Sequence, residues 1–90
     1  MFASTKPRRV ADYRLEQMDN ELLLFHPGKT QVLYCNDTAS LIWQLCDGQH
    51  TPQEIITLLS DSYPESAQEI AKDVQTTLAQ FHAHGAIEYE

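Results

Sequence analysis

The stretch from Leu33 to Gly48 constrains the fold more than any other part of the chain. It reads as the end of a strand, an abrupt helix start, one short helix and a glycine stop. Asn36 or Asp37 can cap the helix, because a short side-chain oxygen accepts a hydrogen bond from the free N–H groups of the first turn. Ala39, Ile42 and Cys46 fall on one side, Leu41 and Leu45 lie alongside, and Trp43 sits at the edge. An apolar stripe this wide has to be enclosed, which places the helix at the centre of the core. Gly48 is assigned the C′ position, since glycine takes the left-handed conformation without a Cβ penalty.

The chain before this helix reads as strands. Residues 1–9 are polar around Pro7, show no period, and are expected to form a flexible tail. From Val10 a weak alternation through Tyr13 and Leu15 predicts a strand to about Met18, then a turn at Asp19-Asn20. Glu21–His26 is a second strand, and Pro27-Gly28-Lys29 a second turn. Thr30–Cys35 is a third strand, rich in β-formers. Connections this short make the three an antiparallel meander. The third strand carries no charged residue and no proline, so its edge lacks the usual protection against pairing unless something covers it.

The chain after the helix reads as two more helices. Thr51-Pro52-Gln53-Glu54 is a capping box with proline in the first turn. Ile55, Leu58 and Leu59 form the buried stripe, with Ile56 at its margin, and Pro64 stops the helix near Tyr63. Ser66-Ala67-Gln68-Glu69 reads as a second capping box. The helix it opens runs to about His84, with Ala67, Ile70, Val74, Leu78 and Phe81 on one face and Gly85 ending it. Ala86–Tyr89 can add a short final strand. The expected fold is therefore α+β and winged helix-turn-helix-like, an N-terminal three-stranded antiparallel sheet followed by three helices. It forms one domain over 10–90 behind the tail, the size at which a single core suffices.

The net charge of −7 argues against nucleic acid as a partner, since phosphate neutralisation supplies most non-specific binding. A winged-helix transcriptional regulator is the rival reading. Its recognition helix would carry Glu65, Glu69 and Asp73 against Lys72 alone, and so would meet phosphate repulsion. No apolar run reaches the ~18 residues of a membrane span, and Met1–Val10 lacks the apolar region of a signal peptide, so no membrane partner and a cytoplasmic location are expected. Cys35 and Cys46 sit at opposite ends of one helix, roughly 16 Å apart, too far for a disulfide. They read as reduced thiols. His26, His50, His82 and His84 show no metal-ligand spacing. Ser40 lies inside a helix, there is no Gly-x-Ser-x-Gly, and three glycines form no phosphate loop. Glu65, Glu69 and Asp73 share a side of their helix and read as a solvated acidic face. The chain reads as a non-enzyme with no cofactor and no metal.

Several stretches, taken in order, resemble the PqqD family. Cys35-Asn36-Asp37-Thr38-Ala39 is similar to the Leu-Asn-x-Thr-Ala that opens the first helix of PqqD-type proteins. Leu45-Cys46-Asp47-Gly48, then Thr51 and Glu54-Ile55, resembles their Leu-Cys-Asp-Gly and Thr-x-x-Glu-Ile. Lys72-Asp73-Val74, Leu78 and Gly85 match the Asp-Val and terminal glycine of their last helix. The likeness spans about Pro7 to Tyr89; Cys35 stands where leucine is usual, and Phe81 and Ala86-Ile87 replace leucine-rich positions. The resemblance implies a RiPP recognition element. Such a domain is a non-catalytic peptide chaperone that binds the leader segment of a ribosomally synthesised precursor peptide. It presents that segment to a modifying enzyme such as a radical SAM protein, in pyrroloquinoline quinone or related biosynthesis. In that family the leader adds as a strand to the third strand, in the groove beside the last helix. Mapped onto this chain, the strand side is Val32, Leu33 and Tyr34, and the helix side is Asp73, Val74, Thr77 and Phe81. Asp73 can receive a basic leader residue or cap a surface network. An uncovered edge strand also permits a homodimer.

Overall fold

The computed structural model describes residues 5–89. In chain order its elements are β1 (Pro7–Arg9), β2 (Arg14–Met18), β3 (Glu21–Phe25), β4 (Val32–Cys35), α1 (Asp37–Leu45), α2 (Pro52–Ser62), α3 (Ala67–Ala83) and β5 (Ile87–Tyr89). The expected meander is present as an antiparallel sheet in the order β2-β3-β4. Asp19, at φ 55°, lets a two-residue loop close the first hairpin in the sense that matches strand twist. The second turn is tightened by His26, whose Nδ1 accepts from the Gly28 N–H at 2.9 Å. Leu24 stands opposite Leu15 on one side and Leu33 on the other. These three form the face that meets the helices, with Leu24 itself buried. β2 begins at Arg14 rather than near Val10, because Asp12, at φ 75°, breaks the extended run.

The helix starts use two of the three predicted caps. The Asn36 side chain accepts from the Ala39 N–H at 2.8 Å and opens α1. At α2 both halves of the capping box are made, Glu54 N–H to Thr51 Oγ1 at 3.1 Å and Thr51 N–H to Glu54 Oε1 at 2.8 Å. The third fails: Ser66 makes no side-chain cap, and a 3-10 turn over Pro64–Ser66 feeds directly into α3. Pro64 supplies the fixed φ that starts such a turn, so the backbone is already helical where the cap was expected. α3 ends as predicted. Gly85, at φ 76°, donates to His82 O at 3.0 Å and Ala86 donates to Phe81 O at 2.8 Å, which is the paired Schellman pattern.

The expected flexible tail is corrected at its inner end. Pro7–Arg9 form β1 and pair antiparallel with β5, with Arg8 opposite Glu88 and their side chains ion-paired. Residues 1–4 of that expectation lie outside the described residues. β1 also finishes α1. The Arg9 guanidinium donates to Trp43 O at 3.0 Å and Gln44 O at 2.9 Å, carbonyls of the last turn of the helix, where Trp43 O also accepts from the Cys46 N–H at 3.2 Å. Arg9 N–H donates to Cys46 O at 3.0 Å, and Gly48 N–H donates to Pro7 O at 2.9 Å. Cys46 is the C-cap, so Gly48, at φ 77°, falls two residues beyond it rather than at C′. The turn it makes joins the helix to β1.

The core gathers Ile42 and Cys46 of the α1 segment, Ile55 and Leu59 of α2, and Ile70, Val74, Leu78 and Phe81 of α3. Trp43, expected at the margin, is buried and meets Phe81 edge to face at 5.4 Å, the arrangement favoured by ring quadrupoles. On α2 the margin is the reverse of the expectation. Leu58 is exposed, and Ile56 packs against the core.

Candidate functional site

β4 is the terminal strand of its sheet, with β3 on one side and no strand on the other among the described residues. Along an antiparallel edge, every second residue turns its N–H and C=O away from the sheet. Strand alternation sends Leu33 and Cys35 toward the core, where both are half-buried against it. Val32 and Tyr34 point the other way, 43% and 68% exposed, beside Phe25 and Leu23 of β3. A free edge that is short, uncharged and lined by exposed apolar side chains can accept another strand.

The ends of β4 and α3 meet in opposite order, and one pair of ends is tied by hydrogen bonds. The Tyr13 hydroxyl donates to His84 O at the C-cap of α3 at 2.7 Å, and Lys29 Nζ, from the turn before β4, donates to Tyr13 at 2.8 Å. That ammonium lies so close to Gly85 that a Cβ there would sit 3.4 Å from it. At the other end β4 leads through Asn36 into Asp37 and Thr38. These two residues share a cavity of about 300 Å³ with Glu69, Ile70 and Asp73 of α3. Leu41, Leu59, Tyr63 and Ser66 complete its wall.

Of the residues expected in the site, Val32 and Tyr34 are exposed on β4, and Leu33 is half-buried behind them. On α3, Asp73 is exposed and lines the cavity, while Thr77 is half-buried. Val74 and Phe81 are fully enclosed. They back the α3 wall from inside and present no surface to a ligand in this conformation. Asp37, Thr38, Leu41, Tyr63 and Glu69 belong to the cavity but were not singled out for the site by sequence reasoning. One signal was available. Glu69 and Asp73 are like charges at i,i+4, an arrangement that costs an isolated helix a few tenths of a kcal/mol.

Both cysteines are free. Burial pushes the Cys46 thiol up to about 12, with Arg9 pulling down and Asp47 pushing up more weakly. Burial raises Cys35 as well. A thiol held protonated is a poor nucleophile. No group of three or more His, Cys, Asp or Glu among the described residues could hold a metal ion. No helix of the described residues is long and apolar enough to cross a membrane.

The family model for Coenzyme PQQ synthesis protein D (PqqD) matches residues 21–87. The chain belongs to the PqqD family. The match takes in β3, β4 and the helices α1, α2 and α3, and so both the free strand edge and the cavity. Among solved structures, TbiB1 in complex with the TbiA(beta) leader peptide superposes with a TM-score of 0.70 at 18% identity, covering 90% of this chain and 94% of that one. At that identity the likeness is one of fold. No match was found among curated proteins.

Proposed function

We propose that this domain is a non-catalytic RiPP recognition element. It binds the leader segment of a ribosomally synthesised precursor peptide in extended form and presents it to a modifying enzyme, such as a radical SAM protein, in the cytoplasm. The observation that carries this reading is the uncharged free edge of β4, a short strand that carries exposed Val32 and Tyr34. Backbone pairing along β4 would set the register of the peptide, and alternate side chains would set specificity. Side chains on one face of the added strand would enter the groove near Leu33, Thr77 and Asp73. Those on the other face would lie beside Val32 and Tyr34, about 7 Å apart along the strand. The occupied state of TbiB1, a protein of the same fold, favours this reading over a fold kept only for architecture.

The test is calorimetric titration with synthetic peptides encoded beside this gene. Saturable binding near 1 μM, about −8 kcal/mol, is the expected result. Peptides N-methylated at alternate backbone positions probe the strand mode without altering the protein. One methylation phase should weaken binding strongly and the other little, because only alternate N–H groups face β4. Leu33→Pro adds the complementary change on the protein, removing a backbone donor. Equal tolerance of both methylation phases would refute strand addition. If no encoded peptide binds but duplex DNA does at low salt, the regulator reading replaces this one.

A further inference from the structure

The cavity at the end of the groove has a chemistry that strand pairing alone does not use. Its floor is apolar, built from Leu41, Leu59 and Ile70, with the Tyr63 ring at the rim. Its mouth carries three carboxylates, Asp37 from α1 and Glu69 and Asp73 from α3, and the hydroxyls of Thr38 and Ser66. None of the three carboxylates has a hydrogen-bond or ion-pair partner among the described residues. They do not converge on a point where a metal ion could be held. The same three positions stand in a chain of net charge −7, where neighbouring anions raise the cost of leaving them unpaired.

A pocket that is apolar below and anionic above matches one kind of side chain: a long aliphatic stem ending in a cation. At about 300 Å³ it stands at the small end of ligand pockets and suits a single side chain. Tyr63 offers a ring face to the same cation. The cavity also lies where a peptide would reach it, since β4 runs out through Asn36 into the wall formed by Asp37 and Thr38. We propose that this cavity binds a lysine or arginine side chain of the peptide paired to β4, just N-terminal to the paired segment. The placement rests on the strand-addition reading. It also takes the added strand to be antiparallel, which puts its N-terminal end opposite the C-terminal end of β4 and continues the pattern of the sheet.

The experiment is selection from a displayed library of random 12-residue peptides on the purified chain, then synthesis and calorimetry of the enriched sequences. The expected result is enrichment of Lys or Arg at one position, before the β-rich segment. Replacing that residue by Met, which keeps the stem and removes the charge, should weaken binding about tenfold. The triple variant Asp37→Asn, Glu69→Gln, Asp73→Asn should bind the parent peptide equally weakly and no longer distinguish Lys from Met. A charge-matched control, Asp12→Asn, Asp19→Asn, Glu21→Gln, should keep the distinction. Basic residues spread along the peptide, with the same loss in both triple variants, would mean general attraction to an acidic protein and would overturn the pocket. So would enriched peptides with no basic preference. In either case, alternation in the N-methylation series would leave strand addition standing. Enriched peptides indifferent to both methylation phases would overturn strand addition and the pocket together.

Discussion

Arg9→Ala tests whether the N-terminal segment is part of the fold. The side chain makes two hydrogen bonds to the end of α1, to Trp43 O at 3.0 Å and Gln44 O at 2.9 Å. The first is partly buried and the second exposed. A hydrogen bond involving a charged group contributes about 1.5–3 kcal/mol when shielded and less when wet. A cation at a helix C-terminus is worth up to ~1 kcal/mol, partly the same energy counted again. Together these give a loss of roughly 2–3 kcal/mol, against about 5–13 kcal/mol for the whole stability of a domain this size. At ~4–8 °C per kcal/mol, Tm should fall by about 10–20 °C. Arg9→Lys should recover the charge but only one of the two bonds, and fall between. Thermal and urea unfolding monitored by circular dichroism measure both. An Arg9→Ala protein melting within about 2 °C of the parent would show that β1 is an appendage and that α1 ends without it.

Other perturbations act on neighbouring contacts. Tyr13→Phe removes both hydrogen bonds that hold the β3–β4 turn to the end of α3. It should cost about 1 kcal/mol in urea unfolding and weaken peptide binding as the groove loses its fixed end. Gly85→Ala places a Cβ at φ 76° beside Lys29 and should cost about 1–2 kcal/mol in urea unfolding. Cys46, protonated in the folded core to about pH 12 against 9.0 for a free thiol, favours the folded state fully below pH 9. That contribution is lost as pH rises from 9 toward 12, so Tm should fall there, and Cys46→Ala should flatten the fall. With a thiol reagent at neutral pH, half-buried Cys35 should react first and Cys46 only at the rate of unfolding.

The parts of this fold that were legible in the sequence are those whose signal is local. Asn36 before its helix, Thr51 with Glu54 three residues on, and Gly85 after the last turn of α3 each announce a helix end within a few residues. The uncharged run before Cys35 likewise identified the strand that lies at the sheet edge. β1 was not legible, because its partner lies 80 residues away and a three-residue strand has no period to detect. Arg9 was missed for a related reason: its partners, Trp43 O and Gln44 O, lie 34 and 35 residues away and are main-chain atoms that no side-chain pattern marks. Periodicity placed Val74 and Phe81 on the inner face of α3, where they are enclosed, and left Asp73 and Thr77 off it; the four were grouped as one site only through the family resemblance, which carries no burial information.

The acidic cavity marks the boundary of that kind of reading. Asp37 stands 32 positions before Glu69 in the sequence, and neither is unusual in its own helix. An acidic residue in the first turn of α1 is favourable by itself, through the helix dipole, so Asp37 carried no sign of a second role. Only the pair Glu69 and Asp73 broke a local rule, two like charges one turn apart with no cation bound to either. A solvated face tolerates that arrangement at little cost. The turn from β4 into α1 brings a third carboxylate, Asp37, to the same cavity. A cation entering the cavity from a bound peptide would relieve all three at once, which makes peptide binding and local stability of α3 two readings of one interaction. Peptide addition should therefore raise amide protection in the first turns of α3 more for a lysine-bearing peptide than for its methionine counterpart.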